Sequence, residues 1–162
     1  MRIKRTKRLY HPADALIDMV ADVKAYPKFI NFISAVRILS REDGGPFSDV
    51  FVADVVVQYK MFSETFRSRV TVDRENRQIR IEKAGHGGAV RRLNNIWDFK
   101  SLSDGSTQLD FVVDVDLKAA PLQFLLKSKI DKAARNIMAA FERRAKQICP
   151  NAGDADKDLH VV

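Results

Sequence analysis

Few side chains in this 162-residue sequence are of a type and spacing to do chemistry, and each has an ordinary alternative. Glu64 falls in register with Phe62, Phe66 and Val70 in an alternating run, which points it toward the apolar side of a strand. A carboxylate withdrawn from water there can serve as a general acid or base. Its place near a strand end favours the alternative, a solvated carboxylate with no such role. Asn95 shares register with Leu93 and Trp97 and carries the amide needed to orient a carbonyl, or to satisfy nearby backbone groups. Trp97 is either core or a platform for a ligand, and its indole N–H requires an acceptor if it is buried. His86 lies in Gly85-His86-Gly87-Gly88, with no Ser or Cys nucleophile motif beside it. That loop precedes a strand, so it lacks the helix N-terminus a phosphate loop requires. His11, His86 and His160 show no ligand spacing, and Cys149, the single cysteine, reads as structural. One cysteine excludes an internal disulfide framework and a structural zinc site. No acid–base pair, triad or metal set emerges, so the expectation is a protein that binds, with no catalytic residue, metal or cofactor of its own.

The elements that must position these residues follow from periodicity. Residues 2–10 fit a strand with cations on both faces. His11-Pro12 starts a helix carrying Leu16, Met19, Val20 and Val23. Tyr26-Pro27 breaks it, and a short second helix is predicted to carry Phe29, Ile30, Phe32 and Ile33. From about residue 35 to 117 the period is two. Val36 and Ile38 lead to a Gly44-Gly45-Pro46 turn. Phe51, Ala53, Val55, Val57, Tyr59 and Met61 alternate in the next strand, then Phe62, Phe66, Val70 and Val72. Ile79 and Ile81 follow, then Leu93, Trp97 and Phe99. Asp104-Gly105 predicts a hairpin with φ > 0 at both central positions, and Leu109, Phe111, Val113, Val115 and Leu117 form a one-sided strand after it. Pro121 opens a long helix with the stripe Leu122, Leu126, Ile130, Ala134, Ile137, Phe141, Ala145 and Ile148.

This order predicts an α+β architecture. A curved seven-stranded antiparallel sheet wraps around a long C-terminal helix, with two short helices after strand 1. Residues 1–149 form one domain, and 150–162 a disordered acidic tail. A curved sheet gripping a helix leaves space where the layers diverge. The expected lining of that cavity is Phe29 and Phe32 at a portal flanked by Met61-Phe62, then Val55, Val57, Phe66, Val70, Trp97, Phe99, Phe111 and Val113 on the strands. Leu126, Ile130, Ala134 and Ile137 on the helix complete it.

Composition sets the class. Hydrophobic residues make up 46% and charged residues 30%, with a mean hydropathy of −0.24, as in a single soluble domain. No apolar run approaches the roughly 18 residues of a membrane span, and the basic start is not followed by a signal-peptide core. The net charge is +7. Asp154, Asp156 and Asp158 in the tail leave the body more basic than the whole chain. A basic body suits an anionic partner, membrane surface or nucleic acid, and equally a basic soluble protein with no such partner. Cross-strand pairing of Asp110, Asp114 and Asp116 with Arg2, Lys4, Arg5, Lys7 and Arg8 is expected to leave the free positive field on the long helix.

Four segments carry a family resemblance. They are Ala21-Asp22-Val23-Lys24-Ala25-Tyr26-Pro27-Lys28-Phe29, Tyr59-Lys60-Met61-Phe62, Arg92-Leu93-Asn94-Asn95-Ile96-Trp97-Asp98-Phe99 and Ala140-Phe141-Glu142-Arg143-Arg144-Ala145. In order and spacing they resemble coenzyme Q-binding proteins of the START-like, polyketide-cyclase-related superfamily, across nearly all of residues 2–149. The resemblance implies a helix-grip fold and ubiquinone or a related polyprenyl lipid as bound ligand. It also implies a role in respiratory electron transfer or quinone synthesis without turnover, and a cytoplasmic location with peripheral contact to the inner membrane. Here Ile30-Asn31-Phe32-Ile33 stands where the family often has Leu-Pro-Trp-Cys, and Gly88-Ala89-Val90 where it tends to have Gly-Pro-Phe. The family also includes ribosome-association toxins, which these motifs do not separate from quinone binders, so the ribosome is the alternative partner.

Overall fold

The alternating stretch between the two helical regions folds into antiparallel strands. The computed structural model describes residues 1–154, with all their side chains except that of Phe62. The strands are β1 (Arg2–Leu9), β2 (Ile33–Asp43), β3 (Ser48–Tyr59), β4 (Phe62–Asp73), β5 (Gln78–Lys83), β6 (Val90–Ser101) and β7 (Thr107–Leu117). They form one sheet in the order β1-β7-β6-β5-β4-β3-β2, antiparallel throughout. Helix α1 (Ala13–Ala21) and a 3-10 turn (Val23–Lys28) connect β1 to β2, and α2 (Ala120–Ile148) lies across the inner face of the sheet. This is the helix-grip arrangement. No helix among the described residues is long and apolar enough to cross a membrane.

Two local expectations are corrected. The second helix lies earlier than predicted, over Val23–Lys28, with Pro27 inside it. The Tyr26 carbonyl accepts from the N–H groups of both Phe29 and Ile30, which ends the turn and leaves Phe29–Phe32 as a connecting segment before β2. A 3-10 turn needs few residues and tolerates the proline that excludes an α-helix. In the β6–β7 turn only Gly105 has positive φ, at +88°. The Gly105 N–H donates to the Leu102 carbonyl and the Leu102 N–H to the Ser106 carbonyl. The loop is thus one residue wider than a two-residue hairpin, with glycine at its left-handed position.

Residues 150–154 are joined to the domain by hydrogen bonds. Ala152 N–H donates to the Tyr10 carbonyl at 2.9 Å, and Asp154 N–H to Asp104 Oδ2 at 2.6 Å. Arg8 donates both to Asp104 Oδ2 and to the Asp154 carbonyl, each at 2.8 Å. Asp104 thus collects donors from Arg8 of β1, from Ser106 and from Asp154, and holds residues 150–154 against the domain. The rest of the predicted tail, 155–162, lies outside the described residues.

Register assigns the inner face. Phe51, Ala53, Val55 and Val57 of β3 pair with Val70, Ser68, Phe66 and Glu64 of β4. Ile81 pairs with Asn95 and Asn95 with Val113, while Ile79 pairs with Trp97 and Trp97 with Phe111. At the end where α1 packs, Phe51, Val70, Val72, Ile79, Trp97, Phe99, Leu109 and Phe111 are fully buried with Leu16, Ile17, Val20, Met138, Phe141 and Ala145. Removing such side chains from water contributes about 1.5–3 kcal/mol each, which makes this end the stable core.

Candidate functional site

At the opposite end of the inner face burial is incomplete. Val55, Val57, Phe66, Ile81, Leu93, Val113 and Val115 are all half-buried, although each lies on the same face as the core. Over them the first turns of α2 are loosely seated. Leu122, Leu126 and Ile137 are half-buried, and Phe124 and Leu125 are 76% and 48% exposed. Apolar cover between the layers is therefore complete where α1 packs and thins toward the end where α2 begins.

An aromatic cluster marks the well-covered end. Phe141 on α2 meets Trp97 at 4.9 Å, Tyr26 at 5.2 Å and Phe29 at 5.2 Å between ring centroids, all edge-to-face. Trp97 in turn meets Phe111 at 4.8 Å. This stack bridges sheet to helix. The guanidinium of Arg144 lies over the Phe29 ring at 5.4 Å. The Tyr26 hydroxyl donates to the Val20 carbonyl, and burial, with Asp22 nearby, pushes its phenol well above the ordinary value. Tyr26 is thus a buried strut and not a proton donor.

The fourteen lining residues named from sequence divide along this gradient. Phe29, Phe32, Val55, Val57, Phe66, Val113, Leu126 and Ile137 are half-buried, and Phe29, Phe32, Val113, Leu126 and Ile137 among them pack against the core cluster. Val70, Trp97, Phe99, Phe111, Ile130 and Ala134 are packed into the core cluster with 7% exposure or less. Alternation places the strand residues among them on one face, and the extent of their burial separates the two groups. Ile81, Leu93 and Val115 were not singled out, although they share the alternation of their strands.

The polar candidates separate too. Asn95 is buried, and both ends of its amide are occupied: Nδ2 donates to the Val112 carbonyl at 2.8 Å, and Oδ1 accepts the Trp97 indole N–H at 2.7 Å. Glu64 is half-buried and on the inner face, opposite Val57. His86 is exposed in its loop. Cys149 is half-buried at the far end of α2, where burial raises its thiol above the ordinary range. Met61 is fully exposed at the β3–β4 hairpin, and the Phe62 side chain named with it at the portal lies outside the described residues.

A second opening lies in the side of the sheet. β5 ends at Lys83, so residues 62–67 of β4 and 90–93 of β6 have no strand between them. A recess of about 280 Å³ occupies that gap. Its walls combine inner-face Phe66 and Leu93 with outward-facing Thr65, Arg67 and Asp54, and the 84–89 loop borders it. Arg67 grips Asp54 through two bonds of 2.9 and 3.1 Å, which hold that carboxyl below its ordinary range.

Electrostatics at the helix correct one expectation. Asp114 and Asp116 bind the N-terminal amine and Arg92, and Asp110 binds Lys100 and Thr6. Arg8 goes to Asp104. Arg5 and Lys7 reach across to α2 instead, to Asp131 at 2.7 Å and Glu142 at 2.6 Å. Both cations stand opposite inner-face residues of β7, Phe111 and Leu109, so they point toward the helix and away from the outward aspartates.

Comparison with known proteins gives concordant findings. The sequence profile of the family described as polyketide cyclase / dehydrase and lipid transport matches residues 9–142. The ribosome association toxin RatA of Rickettsia prowazekii (strain Madrid E) is 30% identical over 149 residues, covering 91% of this chain and 98% of that protein. The solution structure of the 18 kDa protein CC1736 from Caulobacter crescentus superposes with a TM-score of 0.74 at 33% identity, covering 91% of this chain and 97% of that one. The Zhui aromatase/cyclase from Streptomyces sp. R1128 superposes with a TM-score of 0.76 at 20% identity, over 91% of this chain and 94% of that one, a likeness of fold alone.

Proposed function

This chain belongs to the polyketide cyclase / dehydrase and lipid transport family, and we propose that it binds the apolar tail of a polyprenyl lipid, ubiquinone or a related quinone, in the groove between β3–β7 and the start of α2. The observation that carries this reading is the burial gradient. Seven apolar side chains from five strands stay half-buried beneath a helix whose own apolar stripe is half-covered. Covering them with a hydrocarbon tail contributes about 0.8 kcal/mol per buried CH₂. A lipid carrier needs that sheath and no positioned acid or base. Asn95, the best-placed polar group, has its amide committed to Trp97 and Val112, which supports a role in binding rather than turnover. Mass spectrometry of organic extracts from protein purified from its native host tests the proposal. A stoichiometric polyprenyl quinone is expected, and an empty groove, or a ligand without a long apolar tail, overturns it.

A second reading has its own support. The Rickettsia relative bears the name of a ribosome association toxin, and this chain carries a net charge of +7. On that reading the protein associates with ribosomal subunits, and co-sedimentation through a sucrose gradient at low salt tests it.

A further inference from the structure

The carboxylates of α2 are neutralised from the sheet, and this shapes the opposite side of the helix. Between Lys118 and Lys146 there are eight basic and two acidic residues. The two acids, Asp131 and Glu142, are those taken by Arg5 and Lys7 of β1. Both pairs are solvent-exposed and contribute little to stability, about 0.2–1 kcal/mol each. Their larger effect is on charge, since they remove both negative groups from the field of the helix.

What is left is a stripe. Lys132, Arg135, Arg143 and Lys146 are all exposed. At 100° per residue they fall within a wedge of about 80°, opposite the buried Ile130, Ala134, Phe141 and Ala145, and they extend over about 21 Å. None of the four has an ion-pair partner among the described residues. Of the exposed large apolar residues of α2, Ile148 lies off the stripe, whereas Phe124 and Leu125 lie on its side of the helix, about 10 Å before Lys132.

We infer that this outer face of α2 docks on the phosphate backbone of structured RNA. The inference rests on the ribosome reading and names the surface it would use. A row of long cations on a rigid rod suits an array of fixed phosphates, where each neutralised phosphate releases condensed counterions. A membrane-docking face gains most from apolar side chains interleaved with the cations; between Lys132 and Lys146 the stripe has none, and the nearest, Leu125, stands two turns earlier. Its contacts are to phosphates and carry no base code, so they position the protein without reading sequence.

The test uses the full chain and a 24-base-pair RNA duplex, with binding followed by fluorescence anisotropy between 50 and 300 mM salt. For the wild type, log affinity should fall steeply with log salt. In K132Q/R135Q/R143Q/K146Q the slope should be shallower by about 3 to 4, at about 0.9 per lost phosphate contact, and affinity at 100 mM salt at least tenfold weaker. The control R2Q/K4Q, which removes two exposed cations of β1, should follow the wild type. Equal loss in the control overturns the assignment to α2, as does a quadruple variant that binds like wild type while wild type co-sediments with subunits. If wild type co-sediments with subunits but does not bind the duplex at 50 mM salt, the RNA-docking surface fails and the ribosome reading stands; absence of co-sedimentation overturns that reading itself. Loss of binding to phosphatidylglycerol vesicles with RNA binding intact would make this a membrane face and overturn the inference. Thermal melts and the extracted lipid content of the variant should match wild type, separating this surface from the groove.

Discussion

The Oδ1 of Asn95 accepts the indole N–H of Trp97 at 2.7 Å, two residues along the same strand and on the same face. Trp97 is 2% exposed, so its N–H has no water to turn to. Asn95 therefore makes it possible to place an indole in the core, and its other amide atom anchors the pair to β7. Asn95→Ala leaves a buried donor unpaired and should destabilise the fold by about 1–3 kcal/mol. Urea denaturation measures this. A change of a few tenths of a kcal/mol would show that the indole finds another acceptor.

Phe141 is the hub through which α2 grips the sheet, since Trp97, Tyr26 and Phe29 all meet its ring. Phe141→Ala should cost about 3–5 kcal/mol. Phe124→Ala, near the exposed start of the same helix, should stay within about 0.5 kcal/mol. Paired denaturation curves check the contrast.

Position along the groove should decide what added bulk does. Ala134 is 4% exposed in the core cluster, so Ala134→Phe overpacks it and should cost about 1–3 kcal/mol. Val113→Phe, in the half-buried region, should leave the melting temperature nearly unchanged and reduce co-purifying lipid at least severalfold. If both variants melt alike, the two regions do not differ in packing.

Should the protein act by binding alone, Glu64→Gln and His86→Ala will leave function in a complemented deletion strain within a few-fold of wild type. A catalytic acid or base typically contributes about 10²–10⁴-fold. Loss of function on that scale, with lipid still bound, would assign catalysis to whichever residue caused it.

Asp104 supplies a pH signature. Burial works to raise its carboxyl, but hydrogen bonds from Ser106, the Asp154 N–H and Arg8 outweigh it and hold the group well below its ordinary range. A depressed folded-state value stabilises the fold above the unfolded carboxylate value of about 3.9 and loses that contribution as pH falls through the folded value. The melting temperature of Asp104→Asn should thus lie below wild type at pH 7, and the gap should narrow as pH falls below about 4. A gap that is unchanged at pH 3 would rule out the ionised carboxylate as its source.

Much of the architecture was legible because alternation and helical spacing are strong over long elements. The stripe from Leu122 to Ile148 and the one-sided strand from Leu109 to Leu117 each declare a buried face. The 3-10 turn was misplaced because Tyr26-Pro27 reads as a helix stop, whereas a 3-10 turn accommodates the proline. Partners of Arg5 and Lys7 were misread because alternation gives the side of β1 on which they stand but not the helix that lies there. The division of the lining residues was illegible for a related reason. Val70 and Val113 alternate alike in their strands, and only the extent of their burial in the fold makes one core and leaves the other half-buried.

On the proposed lipid reading, the ring stack at Phe141 sets a depth stop. A chain entering from the open end can advance only until it meets the indole and phenyl edges that join floor to roof. Whatever exceeds that depth would stay outside the proposed groove. A pocket built in this way reads the leading end of a long molecule and is indifferent to its total length. Homologous ligands that differ only in the number of repeat units should therefore compete on nearly equal terms, and shortening matters only once the chain no longer reaches the stop.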